Sequence, residues 1–265
     1  MLIIGEKING TLKKTAAAIA GRDAGFIQDL ACRQAEAGAH YLDVNAGTAA
    51  GREPEDLVWL IETVQAVVDL PLCLDSANPH ALRAGMDSVK QVPMVNSISG
   101  EAGRLEGILP LAAGRGCPVI ALLLDDGGIP ADVEGRLKVG RAILERTRSA
   151  GLPDEHIYVD PLAMAISTRT EGALIAVETM RRLRGEYPQV KFSLGLSNIS
   201  FGLPARSLIN QAFLAQALAA GLDAAIIDPL DAGLINMIYA TELVLGRDRF
   251  CRNYTRAFKA GKIKV

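Results

Sequence analysis

Short apolar runs alternate with longer amphipathic segments along the whole chain. The runs are Leu2–Ile4, Tyr41–Val44, Leu72–Leu74, Pro93–Val95, Val119–Leu124, Ile157–Val159, Phe192–Leu196 and Ala224–Ile227. Each is short and nearly continuous, as expected of a parallel strand covered on both faces. Helix-period segments lie between them. In Glu53–Val68, the positions Leu57, Leu60, Ile61, Val64 and Val68 fall on one face. In Asp132–Ala150, Val133, Leu137, Gly140 and Leu144 do the same, with Asp132 as the cap and Gly151 as the stop. Gly38, Gly116 and Gly221 stand where a left-handed residue would end a helix and turn the chain back toward a strand.

Eight strands in strict alternation with helices leave a closed barrel or a doubly wound open sheet. The first strand runs into Gly5-Glu6-Lys7-Ile8-Asn9-Gly10, a poor match to the G-x-G-x-x-G of the open-sheet nucleotide folds. The expected fold is therefore an α/β (β/α)8 TIM barrel. A chain of 265 residues is about the length of one such barrel, and no linker or low-complexity segment divides it, so residues 1–265 are expected to form one domain. The basic, polar tail Arg252–Val265 is expected to end in a short helix or a frayed end.

Composition narrows the function. A net charge of −2 gives no electrostatic footprint for nucleic acid, and only 5% aromatic residues give no base-stacking surface. No apolar run approaches the ~20 residues of a membrane span. The start, Met-Leu-Ile-Ile-Gly-Glu-Lys, does not read as a signal peptide. Cys32, Cys73, Cys117 and Cys251 are scattered without a C-x-x-C pair, which suits a reducing cytoplasm and small buried thiols.

Almost every strand is expected to end on polar residues, in chain order Glu6 and Asn9, Asp43 and Asn45, Asp75 and Ser76, Asn96 and Ser97, Asp125, Asp160, Ser197 and Asn198, and Asp228. Loop starts are often polar, and helix capping accounts for some of these, notably Asp125 along with nearby Asn78. The set as a whole is expected to converge on the C-terminal mouth of the barrel, where active sites of this fold form. The set has no histidine. His40, His80 and His156 precede strands or start helices and read as surface or capping residues, so a bound metal is not expected. Lys7 is the single lysine in the set, and Lys191 lies at the wrong end of its strand for a Schiff base. Arg206 is a weak candidate for a phosphate clamp. Carboxylates, carboxamides and hydroxyls with little cationic charge suit a flat, neutral, nitrogen-rich heterocycle such as a pterin, whose amino and ring N–H groups a carboxylate can accept side by side.

Leu72-Cys73-Leu74-Asp75-Ser76, Met94-Val95-Asn96-Ser97, Val159-Asp160-Pro161-Leu162 and Gly195-Leu196-Ser197-Asn198 resemble the pterin-binding barrels. Within these, the chain is most similar to the methyltetrahydrofolate:corrinoid protein methyltransferases. Ile3-Ile4-Gly5-Glu6-Lys7-Ile8-Asn9-Gly10, Leu42-Asp43-Val44-Asn45 and Gly221-Leu222-Asp223-Ala224-Ala225-Ile226 extend the likeness in order along the chain. The resemblance implies methyl transfer between N5 of tetrahydrofolate (5-methyltetrahydrofolate when loaded) and a corrinoid cobalt. It implies that Asp75, Asn96 and Asp160 grip the pterin edge and that the backbone at Gly195 and Ser197 lines its face. Asn198 would reach N5 as the catalytic residue, and Arg206 would meet the glutamate tail. Glu6, Asn9, Asp43 and Asp228 are weaker members of the folate-binding set.

No histidine has the Asp-x-His-x-x-Gly context of a cobalamin domain, so the cobalamin is expected on a separate corrinoid protein. The resemblance also implies a homodimer. The apolar stretch Leu234–Leu245 suits a dimer surface and a barrel-packing face equally well. A dihydropteroate synthase-like enzyme is the nearest alternative. That family's Thr-Pro-Asp-Ser-Phe, Asp-Pro-Gly and Ser-Arg-Lys patterns are replaced here by Ile8-Asn9-Gly10-Thr11, Asp160-Pro161-Leu162-Ala163 and Leu196-Ser197-Asn198. A non-catalytic folate-binding subunit is the third reading. The direction of transfer is open.

Overall fold

The computed structural model describes residues 1–264. Its strands are β1 (Leu2–Asn9), β2 (Tyr41–Asn45), β3 (Leu72–Asp75), β4 (Met94–Ser99), β5 (Val119–Leu122), β6 (Ile157–Asp160), β7 (Lys191–Gly195) and β8 (Ala224–Ile227). All pair in parallel and in chain order, and β8 returns to β1, closing the barrel. Around it lie α1 (Lys13–Ala20), α2 (Ala24–Glu36), α3 (Glu53–Gln65), α4 (Pro79–Ser88), α5 (Ala102–Arg115), α6 (Val133–Ser149), α7 (Gly172–Glu186), α8 (Arg206–Ala219), α9 (Ala232–Val244) and α10 (Arg252–Lys259).

The apolar runs are nearly continuous because each strand serves two cores. Outward residues such as Leu42, Leu74, Val95, Val159 and Leu194 join the large core beneath the helices. Ile4, Cys73, Met94, Ile120, Tyr158 and Ala224 form a separate cluster inside the barrel.

Two strands run beyond their apolar stretches. β1 continues to Asn9, and its register with β2 shifts between Gly5 and Ile8, so Glu6 and Lys7 form a bulge. The bulged Lys7 amide donates to Gln34 Oε1 on α2 at 3.0 Å. Gly5 makes room for this: a Cβ there would stand 2.5 Å from Gln34 Oε1. β4 continues to Ser99, with a similar shift between Asn96 and Ile98. Asn9 ends β1, whereas Glu6, Asn96 and Ser97 lie inside their strands.

Helix ends follow the sequence signals. Asp132 Oδ1 accepts the Gly135 amide at 2.8 Å and caps α6. Asn78 caps α4 by accepting the His80 amide. Gly38, Gly116, Gly151 and Gly221 all have positive φ at the ends of helices. Asp125 departs from the expectation of a helix cap. It accepts the Gly127 amide in a tight turn, and α6 begins only at Val133. Cys251 is exposed, whereas Cys73 and Cys117 are buried as expected, and all four cysteines are free. On α9, Leu234, Ile235 and Ile238 pack inward, while Val244 is 86% exposed. The expected C-terminal helix is α10. Among the described residues, no helix is long and apolar enough to cross a membrane.

Candidate active site

The barrel interior is layered, because side chains alternate along a strand with period two. Two residues beyond each member of the inner apolar cluster stands the next inward position. Ile4 leads to Glu6, Cys73 to Asp75, Met94 to Asn96, and Tyr158 to Asp160. On β2, Tyr41 leads to Asp43 and then Asn45. The site is thus a polar layer laid directly on an apolar floor.

Above this layer opens a cavity of about 630 Å³ at the C-terminal mouth. Its wall includes Glu6, Asn9, Asp43, Asp75, Asn96, Gly195, Ser197, Asn198 and Arg206. A hollow of about 820 Å³ lies at the opposite end, beside the strand starts Leu2 and Lys191. The ion pairs Arg184–Asp223 and Met1–Glu242 occupy that end. In this fold the strand-start face is structural, so the mouth is the candidate site.

Two carboxylate–carboxamide pairs tie strands together at the mouth, one between neighbours β2 and β3 and one from β4 across to β2. Asn96 Nδ2 donates to Asp43 Oδ1 at 3.1 Å, and Asn45 Nδ2 donates to Asp75 Oδ2 at 2.9 Å. Burial, with the neighbouring Asp75 charge second, pushes the Asp43 carboxyl well above its usual range. Burial raises Asp75 to about 6, against the pull of the Asn45 hydrogen bond and of Arg104. Glu6 rises to about 7, first through burial and then through the Asp228 charge. Lys7, Arg206 and the Ser197 hydroxyl pull it part of the way back. A cluster of carboxyls poised near neutrality can accept N–H donors when charged and give a proton when neutral.

Two of the residues expected to bind folate do not reach the cavity wall, and of the wider polar set Asn45, Ser76, Ser97 and Asp125 also lie off it. Asp160 is only 5% exposed, and its oxygens accept the Leu162 amide at 2.7 Å and the Gly195 amide at 3.1 Å. Burial raises it to about 6. It lies beneath the wall and holds Gly195 within it. Asp228 pairs with Lys7 Nζ at 3.0 Å and accepts the Leu230 amide at 2.9 Å.

Asn198 follows β7 in the one-turn 3-10 helix Leu196–Ser200 and is exposed to the cavity. Its amide lies over Gly195, where an added Cβ would stand 3.0 Å from Asn198 Nδ2. Arg206 opens α8, and its guanidinium holds that 3-10 helix through the Ser200 hydroxyl at 3.0 Å and the Ser197 carbonyl at 2.7 Å. The rim between the first two strands is equally close. A Cβ on Gly10 would meet the Ala46 carbonyl at 1.9 Å, and Gly47 has φ +60°.

Sequence reading missed several wall residues: Thr11, Leu12, Ser207, Asn210, Ile226 and Asp231. Most belong to loops or helix starts after the strands. Ile226 has a readable signal, since it stands two residues beyond Ala224 of the inner cluster.

Residues 6–228 match the pterin-binding enzyme family. The chain belongs to that family. As a pterin-binding enzyme it is 42% identical to the methylcorrinoid:tetrahydrofolate methyltransferase of Eubacterium limosum over 265 residues, covering 99% of this chain and 98% of that one. It is 32% identical over 240 residues to the methionine synthase of Mycobacterium leprae, covering 86% of this chain and 20% of that much longer protein. Among solved structures, dihydropteroate synthase from Stenotrophomonas maltophilia superposes with a TM-score of 0.70, covering 94% of each chain at 20% identity. That last likeness is one of fold.

Proposed function

We propose that this pterin-binding enzyme moves a methyl group between N5 of tetrahydrofolate and the cobalt of a corrinoid carried by a separate protein. The end-to-end similarity to the Eubacterium limosum methyltransferase carries this reading. The chemistry of the mouth supports it. Acceptors and carboxamides dominate the wall, while Lys7 is already engaged by Asp228. A mouth of that kind suits a neutral heterocycle better than a pyrophosphate.

Asp75 and Asn96 take the pterin edge, and Asp160 works from beneath with Gly195. The backbone at Gly195 and Ser197 lies along the ring face, and Arg206 meets the glutamate tail. Asn9 and Asp43 complete the cradle, with Glu6 on the cavity wall beside it and Asp228 set behind Lys7. Asn198 acts at N5. A tertiary amine is a poor leaving group unless the charge growing on nitrogen is met by a donor. A hydrogen bond that strengthens as that charge develops lowers the barrier selectively. Asn198 has no acidic proton, so it orients the transfer and does not supply the proton.

The enzyme works in either direction on the same residues. A corrinoid protein docks over the mouth to bring its cobalt to the methyl group. We assign the enzyme to the reducing cytoplasm, in keeping with its free cysteines, and to a homodimer that would cover Val244, Phe250 and Phe258, all exposed on the single chain. Sedimentation velocity tests the dimer: a monomer at micromolar concentration overturns it.

The central test mixes the protein with cob(I)alamin and 5-methyltetrahydrofolate, then with methylcobalamin and tetrahydrofolate, and follows the cobalt absorption bands. Interconversion in at least one mixture is expected. No change in either overturns the methyl-transfer reading.

A further inference from the structure

Methyl transfer from folate leaves a proton to be found. When the C–N bond breaks, its electron pair stays on N5, and tetrahydrofolate leaves with an N5–H. The methyl group goes to the reduced cobalt of the partner's corrinoid. A proton must therefore reach N5, and Asn198 has none to give.

The carboxyls around the mouth differ in what already holds them. Asp43 accepts the Asn96 amide, and Asp75 accepts the Asn45 amide. Asp160 lies beneath the wall with a backbone amide on each oxygen. Asp228 is tied to Lys7. Asp231 caps α9 through the Gly233 amide and accepts the Ser207 hydroxyl. Among the described residues, Glu6 accepts no backbone or carboxamide hydrogen bond. It stands two residues beyond the inward Ile4, where the β1 bulge begins, and it shares the cavity wall with Ser197 and Asn198. Donors on a carboxylate favour its charged form and fix its oxygens. Glu6, met by the Ser197 hydroxyl and by no amide, can hold a proton and let it go.

We propose, resting on the methyl-transfer reading, that Glu6 is the acid that supplies the proton to N5 as the methyl group leaves, and the base that recovers it in the reverse direction. In the forward step, the Glu6 O–H bond breaks and an N5–H bond forms. The N5–CH₃ bond breaks toward the corrinoid cobalt, and Glu6 is left as a carboxylate. In reverse, N5–H gives its proton to the Glu6 carboxylate as N5 takes the methyl group. No oxidant or further reactant is needed.

The groups facing Glu6 are consistent with this task. Asp228 on the β8 side raises its proton affinity, and the Glu6 charge in turn raises that of Asp43 on β2. Lys7 beside it, Arg206 at the start of α8 and the Ser197 hydroxyl lower it. With burial as the largest influence, the result is a carboxyl that titrates at about 7, where acid and base forms are both populated.

Single-turnover transfer with free cobalamin from pH 5.5 to 9, on the full chain, tests this. Forward transfer to cob(I)alamin should fall as pH rises through about 7, and reverse transfer from methylcobalamin should rise through the same region. Glu6→Gln should lower both rates by about 100-fold and flatten both profiles, a loss typical of a missing proton donor. Calorimetric affinity for 5-methyltetrahydrofolate should stay within about threefold of wild type, since truncating a general acid removes a transition-state interaction. Glu6→Asp should keep the pH limbs at a reduced rate, and it serves as the second variant if Glu6→Gln does not fold. If Glu6→Gln keeps the wild-type rate or pH dependence, the proposal is overturned. Equal losses in affinity and rate also overturn it, because they make Glu6 a binding group. If the wild-type protein transfers no methyl group at all, the methyl-transfer reading itself fails.

Discussion

Asn198 Nδ2 rests over Gly195, close enough that a single added methyl on Gly195 would stand 3.0 Å from it. The absence of a side chain at 195 therefore sets where the Asn198 amide lies. Asn198→Ala is expected to slow methyl transfer by roughly 100-fold or more, the scale of one lost transition-state hydrogen bond, with a much smaller effect on folate affinity. Gly195→Ala should displace the amide and slow transfer while leaving the fold intact. Transfer rates set against calorimetric affinities check both variants, and a normal rate in Asn198→Ala refutes the role given to that residue.

Arg136 on α6 is fully buried and reaches the loop after β6. Its Nη1 donates to the Leu162 carbonyl at 2.8 Å and to the Pro161 carbonyl, and its Nε donates to the Pro130 carbonyl at 3.2 Å. Leu162, held at φ +60°, returns its amide to Asp160. Arg136→Met leaves these carbonyls without their donors and is expected to cost at least about 2 kcal/mol of stability. It should also weaken 5-methyltetrahydrofolate binding through Asp160. Thermal unfolding and calorimetry read the two effects, and unchanged affinity in a folded variant removes Arg136 from the folate site.

The raised carboxyls make stability depend on pH in a definite direction. Asp75 titrates at about 6 in the folded protein, above the ordinary carboxylate range of the unfolded chain. Its protonated form supports the fold at low pH, and that support is lost as pH rises through about 6. Asp75→Asn should therefore raise the Tm at pH 8, and the gain should shrink toward pH 4. The same variant should bind 5-methyltetrahydrofolate more weakly at neutral pH, because a carboxamide cannot accept two N–H donors side by side. A Tm gain that is equal at both pH values contradicts the burial account.

The Gly10–Gly47 contact makes a separate prediction. A side chain on Gly10 collides with the Ala46 carbonyl, which is backbone and cannot swing away. Gly10→Ala is expected to lower the Tm and reduce folate affinity, since Asn9 and Thr11 both line the cavity. Differential scanning fluorimetry with and without folate measures both effects.

The barrel was legible in the sequence because every strand writes the same signature, a short apolar run buried on both faces. Strand ends were less legible. Glu6 and Asn96 sit within β1 and β4 because bulges carry those strands past their apolar stretches, and a bulge depends on partners far away in sequence, such as Gln34 for the Lys7 amide. Seven of the thirteen residues of the polar set line one cavity, and the other six do not reach its wall. Which members face the cavity is a matter of depth. Asp160 and Asp228 read like Asp75 along the chain, yet one lies beneath the wall and the other turns to Lys7. Wall residues from α8 and from loops, such as Asn210 and Thr11, have no strand pattern to mark them.

The apolar layer beneath the polar one also seals the site from below. The mouth carboxyls stand two residues above it, about 6–7 Å along the strand. Cys73, Met94, Ile120 and Tyr158 are buried and none of them lines the cavity, so the carboxyls sit between its space and the core. Protons and water then reach these carboxyls from the open mouth, and whatever covers that mouth also controls their exchange with solvent.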